Sequence, residues 1–118
     1  MLEYEVLDAC LKLLRDMFML KPGETIAITT DTMSSDEIVE ATAQAAVILG
    51  AKPLIFKIAA PEGAKAGDKD MPMKALIDGI KACDAWVEFN YKLIFYSTVY
   101  DKITEDPNNR PRSVSYTH

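Results

Sequence analysis

The sequence is short of histidine and cysteine, and it has no long apolar run among its 118 residues. Its one histidine is the last residue, His118, which excludes an internal histidine triad or histidine metal site within a single copy. Cys10 and Cys83 lie far apart and match neither a CxxC motif nor a zinc spacing, so we interpret them as buried thiols of a reducing compartment. No apolar stretch approaches the ~20 residues that cross a bilayer.

Positive charge is also scarce, since 13 Lys and Arg stand against 18 Asp and Glu, a net charge of −5. This balance argues against nucleic acid and against an anionic membrane surface as partners. The first residues are acidic and lack the basic region of a signal peptide, which predicts a cytoplasmic protein. With 49% hydrophobic and 26% charged residues, the composition is that of a globular domain.

Helical and strand-like segments alternate along the chain. Apolar spacing and capping signals predict helices over residues 2–20, 34–49, 72–80 and 93–103, and β-branched or alternating runs predict strands over 25–30, 53–58 and 84–89. Ser34 with Glu37 fits a capping box, and Gly50 fits a helix C-terminus. This order predicts a small three-layer, Rossmann-like α/β domain with a short parallel sheet of strand order 2-1-3.

The composition changes after residue 104. We therefore predict an α/β domain over residues 1–104 and a polar tail over 105–118 that is disordered or truncated and contains no further element. A sheet of three parallel strands leaves two edges open, and such edges are normally covered. The sequence therefore predicts either a homo-oligomer or a missing C-terminal domain.

Ligands of open α/β sheets bind beyond the carboxyl ends of the strands, and polar residues follow two of the predicted strands there. A helix N-terminus after the first strand favours an anion or nucleotide, although Asp31, Asp36 and Glu37 oppose one and no phosphate-loop signature is present. Simple cap-and-turn structure is the alternative interpretation. The candidate ligand-binding residues are Thr30, Asp31, Thr32, Ser34, Ser35, Asn90 and Lys92.

Two further carboxylates, Asp84 and Glu88, belong to the third predicted strand. Glu88 and Asp84 could bring a carboxylate close to Asn90, and alternation puts Glu88 on the same face as Trp86, where we interpret it as a satisfied or solvated group. Proton transfer between Asp31 and Lys92 is a third hypothesis. No nucleophile has a base within the same motif, so no catalytic residue is assigned.

Three stretches of the sequence, taken together, resemble a known family. They are residues 20–32 with K-P-G-E before the first strand, residues 40–53 with L-G-A-K-P after the second helix, and residues 82–90 with A-C-D before the third strand. Together they resemble the N-terminal domain of the thermophilic-type metallo-aminopeptidases, the aminopeptidase T and aminopeptidase S group. That group has leucyl aminopeptidases and dihydroxypyridine ring-opening dioxygenases among its relatives.

The resemblance implies the N-terminal domain of an aminopeptidase-like metalloenzyme, which contributes cleft and oligomer contacts. It also implies that the metal ligands and catalytic groups belong to a C-terminal domain, so this chain alone would have no metal or cofactor and would be inactive. A divalent metal is expected only in a full-length relative. The alternative hypothesis is a stand-alone module that binds a small anion or nucleotide, or that drives oligomerisation.

Overall fold

The computed structural model describes residues 3–59, 73–89 and 111–115. Four strands form one parallel sheet of order β2-β1-β3-β4, and three α-helices connect or cover it. No helix within the described ranges is long and apolar enough to cross a membrane. The elements are α1 (Glu3–Lys12), continued by a π-helical turn (Leu13–Met17), β1 (Thr25–Asp31), α2 (Asp36–Ile48), β2 (Lys52–Ile58), α3 (Met73–Lys81), β3 (Ala85–Glu88) and β4 (Arg112–Ser115).

The predicted α/β class and the 2-1-3 order of the first three strands are confirmed. The expectation that no element follows residue 105 is wrong for one segment, because β4 pairs in parallel with β3 and sets Val114 beside Val87. Arg112–Ser115 is four residues long with one apolar side chain, so its strand character comes from the neighbouring strand and not from a local pattern. The helix predicted over 93–103 lies outside the described residues.

Each face of the sheet has its own apolar core. The larger core joins α1 and α2 to Ile26, Ile28 and Val87, and the smaller one joins α3 to Ala27 and Trp86. Successive side chains of a strand point to opposite faces, so these two sets alternate along β1 and β3. Ala85, Val87 and Phe89 accordingly lie on one face and Trp86 on the other.

The first helix differs from the uniform helix predicted over residues 2–20. Its last turn is π-helical, and the N–H of Phe18 donates to the carbonyl of Leu13 five residues earlier. The wider turn shifts the apolar face by one position, since a π-turn holds one more residue than an α-turn. Leu13 is therefore buried, whereas Met17, three residues after the buried Leu14, is 68% exposed. Met19 then adopts a positive φ of 53° and ends the element.

Both ends of α2 are capped by local hydrogen bonds. Gly50, at φ 82°, closes a Schellman motif in which its N–H donates to Val47 and the N–H of Ala51 donates to Ala46. The predicted capping box is wrong by one residue, because the N-cap is Ser35, whose Oγ accepts the Glu37 N–H at 3.3 Å. Ser34 is not free to cap the helix, since its hydroxyl contacts the ends of β1 and β3.

A glycine allows α3 to pack closely on the sheet. A Cβ atom added to Gly79 would lie 2.7 Å from the ring of Phe56 on β2, a distance that real Cβ contacts do not show. The absence of a side chain at this position therefore lets the aromatic ring of β2 fill the space beside α3. Phe56 joins Leu76 and Ile80 of α3 in the smaller core.

Candidate functional site

Four polar side chains are fully buried at the carboxyl ends of β1 and β3. They are Thr29, Thr30, Asp31 and Glu88. The Asp31 carboxylate accepts the backbone N–H of Met33 at 3.0 Å, and its Oδ1 also lies 3.0 Å from the Oγ of Ser34. Burial of a carboxylate is tolerated only when hydrogen-bond donors replace water, and the turn that follows β1 supplies them.

The turn after β1 is fastened to the strands on both sides. The Ser34 Oγ lies 2.6 Å from the carbonyl oxygen of Phe89, just past β3, and its single hydroxyl proton can go to that oxygen or to Asp31. On the other side the N–H of Thr32 donates to the carbonyl of Ile58 at the end of β2 at 3.0 Å. Hydrogen bonds of this turn therefore connect the carboxyl ends of β1, β2 and β3.

The seven predicted ligand residues fall into different places. Asp31 and Ser34 meet inside the turn, Ser35 caps α2, and Thr32 is exposed at the rim. The Oγ1 of Thr30 is buried and has no hydrogen-bond partner in the part of the chain that the structure describes. Asn90 lies outside the described residues, and so does Lys92, the suggested partner of Asp31 in proton transfer. A ligand role for these residues stays a prediction.

The face of the sheet that α3 covers carries, at the same edge, a group that the candidate residues did not include. The indole Nε1 of Trp86 donates to the Oγ1 of Thr29 at 2.9 Å, and Glu88 is the register partner of Thr29 in the sheet. Glu88 is on the Trp86 face, as expected, and it is fully buried rather than solvated. Period-2 alternation around Trp86 was the sequence signal for this group.

Asp84 does not belong to this edge. Its Oδ2 accepts the N–H of Thr25 at 2.9 Å, and its own N–H donates to the carbonyl of Thr25. Thr25 is the first residue of β1, so Asp84 joins the amino ends of two neighbouring strands. Asn90 lies outside the described residues, so the suggested closeness of Asp84 to it stays a prediction. A parallel sheet separates its two ends by the full length of its strands.

The surface between α1 and α2 is a groove with an apolar floor and an acidic wall. Its floor includes Val6 and Ala41, and Glu37 and Glu40 line its side. Because Asp36 adds a third carboxylate at the N-terminus of α2, this surface favours cations over anions. Within residues 3–59, 73–89 and 111–115, no three His, Cys, Asp or Glu side chains are grouped to hold a metal ion.

Both cysteines are free and buried, and each sulfur contacts a helix. The Sγ of Cys10 lies 3.4 Å from the Oγ1 of Thr42 on α2, and the Sγ of Cys83 donates to the carbonyl of Gly79 on α3 at 3.3 Å. Burial raises the pKa of the Cys10 thiol, which the bond to Thr42 partly offsets. Burial also raises the pKa of Cys83, helped by the negative charge of Asp84.

These shifts predict how the thiols respond to pH and to reagents. In the folded protein both pKa values lie above the ordinary 9.0, so the native state keeps protons that the unfolded chain releases. The free energy of unfolding should therefore be unaffected by the thiols below pH 9 and fall as the pH rises above it.

A disulfide reagent should label both thiols only after urea unfolding; rapid labelling of the folded chain would contradict their burial.

Comparisons with known proteins are informative at the level of structure. No model of a protein family matches the chain, and no curated protein sequence matches it. Among solved structures the chain is similar to the 2,5-dihydroxypyridine dioxygenase from Pseudomonas putida KT2440, with a TM-score of 0.77 and 16% sequence identity. The match covers 99% of this chain and 35% of the dioxygenase chain, so this chain spans about a third of that protein's length. At this identity the match shows the fold.

The assignment to the metallo-aminopeptidases is wrong, because the structural match leads to a dioxygenase, which is a different family. The resemblance was misleading because the matched stretches determine how the sheet packs. Pro22 packs against Gly50 at the amino edge of the sheet, and Asp84 ties β3 to β1, so all three stretches contain packing features of the fold. Many α/β proteins need such features, so the features do not identify a reaction.

Proposed function

We propose that this chain is the sheet-bearing scaffold domain of a larger, dioxygenase-type enzyme. One observation carries the proposal: the fold match takes in nearly all of this chain but only about a third of the dioxygenase. The remaining two thirds of such an enzyme would come from additional polypeptide, either in the same chain or as a separate subunit. The catalytic groups, and a divalent metal with its ligands, are part of that additional polypeptide in this proposal.

The carboxyl edge is the surface that this domain would contribute. Ligands of open parallel sheets lie beyond this edge, and here the turn after β1 is held by contacts to both neighbouring strands. A fixed turn keeps the exposed side chains of Thr32 and Met33 in place, which is what one wall of a substrate cleft requires. Asp31 would act through its hold on this turn and so is a positioning residue.

The reaction class comes to this chain from its structural neighbour. In the proposal the complete enzyme uses dioxygen and a ring of the dihydroxypyridine type, with this domain forming part of the binding cleft. We place the enzyme in the cytoplasm. The two free thiols support that placement, since reducing compartments preserve unpaired cysteines.

The size of the protein in its native cells tests the scaffold role. An antibody raised against this chain should detect it in a polypeptide or a complex roughly three times 13.1 kDa or larger, as the share of the dioxygenase covered implies. Denaturing and native gels run together distinguish a longer chain from a separate subunit. Recovery of the chain by itself, whether as a monomer or as a dimer, would overturn the proposal.

A further inference from the structure

The outer edge of β2 is apolar and accessible. Within the described residues β2 pairs with β1 alone, so it is the edge strand opposite β4. Leu54 is 48% exposed and Ile55 39% exposed, although they lie on opposite faces of the strand. An accessible apolar edge strand is a template for pairing with another strand.

The backbone groups that face outward from β2 can be identified from its bonds. Lys52 donates its N–H to Glu24, and the carbonyl of Ile58 accepts from Thr32, so the even-numbered residues of β2 face β1. Since the backbone direction alternates along a strand, Pro53, Ile55 and Lys57 face outward. The missing N–H of proline therefore falls on the outer edge, where a strand tolerates it.

Lysine side chains usually protect an edge strand from pairing with another strand, and on β2 this protection is weakened. The Nζ of Lys57 lies 3.1 Å from the Oδ1 of Asp36 at the start of α2, so the charge is partly neutralised and is held on the α2 side of the sheet. Lys52 is at the far end of the strand. The middle of the edge is left with Leu54, Ile55 and Phe56, which form a continuous apolar run.

A second apolar surface lies on the same side of the sheet as Ile55. Ile55 is in register with Ile28, which belongs to the core under α1 and α2. On α2, Val47 is 63% exposed and Ile48 is 60% exposed, and they line a shallow depression with Ala43. Because α2 connects β1 to β2, this depression belongs to the same half of the molecule as the β2 edge.

We propose that the β2 edge binds a second copy of this chain, with the two β2 strands antiparallel about a two-fold axis at Ile55. In this register each Ile55 faces its own copy, Leu54 faces Phe56 of the second copy, and Lys57 faces Pro53. No lysine is opposite a lysine, so the pattern of side chains is self-complementary. The result is a continuous eight-stranded sheet.

The backbone groups fit this register as well. The two Ile55 residues exchange two hydrogen bonds, and each Lys57 N–H donates to the carbonyl of Pro53 in the second copy, which makes four bonds in all. The missing N–H of Pro53 leaves only the carbonyl of Lys57 without a donor, and that carbonyl is at the solvated end of the contact. Because a two-fold axis normal to the sheet keeps its faces, the exposed Val47 and Ile48 of each copy lie on the same face of the joined sheet as the two Ile55 side chains.

Cysteine crosslinking of the full chain tests the register. Paired residues that exchange both bonds have Cα atoms ~5.5 Å apart, within disulfide range, so Ile55→Cys should crosslink two copies under mild oxidation. Lys57→Cys is the matched control, because the two Lys57 positions would be about 13 Å apart, beyond the reach of a disulfide. We expect at least about tenfold more crosslinked dimer from Ile55→Cys than from Lys57→Cys. Equal crosslinking, or crosslinking of Lys57→Cys alone, would overturn the register.

Sedimentation of the full chain tests the dimer itself. The unmodified protein should sediment at twice 13.1 kDa. Ile55→Lys should weaken association at least about tenfold, since like charges directly opposite repel. Met17→Lys, which adds the same charge at an exposed residue outside β2 and α2, should leave the dimer unchanged. A monomer at every concentration, or a dimer that Ile55→Lys leaves intact, would overturn the proposal.

Discussion

Replacing Trp86 with alanine is expected to lower the free energy of unfolding by about 3–5 kcal/mol, the range typical of a buried large aromatic side chain. Trp86 is fully buried and joins α3 to the sheet through contacts with Leu76 and Ile80. Its removal leaves a cavity in the smaller core between α3 and the sheet. Urea unfolding followed by circular dichroism measures the loss without requiring the indole as a probe.

Two companion variants separate the causes of that loss. Thr29→Val removes the acceptor of the Trp86 N–H while keeping the side-chain volume, and we expect it to lower the free energy of unfolding by about 1 kcal/mol. Met17→Ala alters an exposed side chain and should change it by less than about 0.5 kcal/mol. If Trp86→Ala were as stable as the unmodified chain, α3 could not be packed on the sheet as described.

Replacing Asp31 with alanine is expected to lower the free energy of unfolding by about 2–4 kcal/mol, because it removes an acceptor from the buried end of β1. The N–H of Met33 loses its partner, and the hydroxyl of Ser34 keeps only the carbonyl of Phe89. The turn after β1 should loosen at the same time. Hydrogen exchange at Met33 would report that loosening as faster exchange than in the unmodified chain.

Asp31→Asn provides the matched control for this experiment. The amide keeps the shape and one carbonyl oxygen, so it can still accept from the N–H of Met33, and we expect the smaller loss of about 1 kcal/mol. Asp36→Ala removes an exposed carboxylate from the same segment and should lower the free energy of unfolding by less than about 1 kcal/mol. Equal stability of Asp31→Ala and Asp36→Ala would show that the buried carboxylate does not hold the turn.

The first three strands and their order could be predicted because their signals are local. Residues 25–30 are β-branched and apolar, each strand is separated from the next by a helical segment, and right-handed connections then leave few possible sheets. Gly50 marked the end of α2 for the same reason, since a left-handed residue after a helix favours glycine. Local chemistry determines these features, so they can be predicted from a single sequence.

The features that could not be predicted depend on distant contacts. Two adjacent serines could each cap α2, and the choice of Ser35 is settled by the Phe89 carbonyl, which holds Ser34 from 55 residues away. β4 adopts a strand conformation because it pairs with β3. The π-turn that exposes Met17 does not produce a regular spacing of apolar residues that could be recognised in the sequence. The family was misassigned because the matched stretches describe how the sheet packs, and such packing is common to enzymes with different reactions.

Oxygen uptake with 2,5-dihydroxypyridine tests the central claim, that this chain is the scaffold of a larger dioxygenase-type enzyme, most directly. The measurement compares the isolated 118-residue chain with the native assembly that contains it, at equal concentrations of the chain. We expect uptake by the native assembly and none by the isolated chain, because the proposal assigns the catalytic groups to the additional polypeptide. An assembly that consumes no oxygen would contradict the reaction class, and turnover by the isolated chain would contradict the scaffold role.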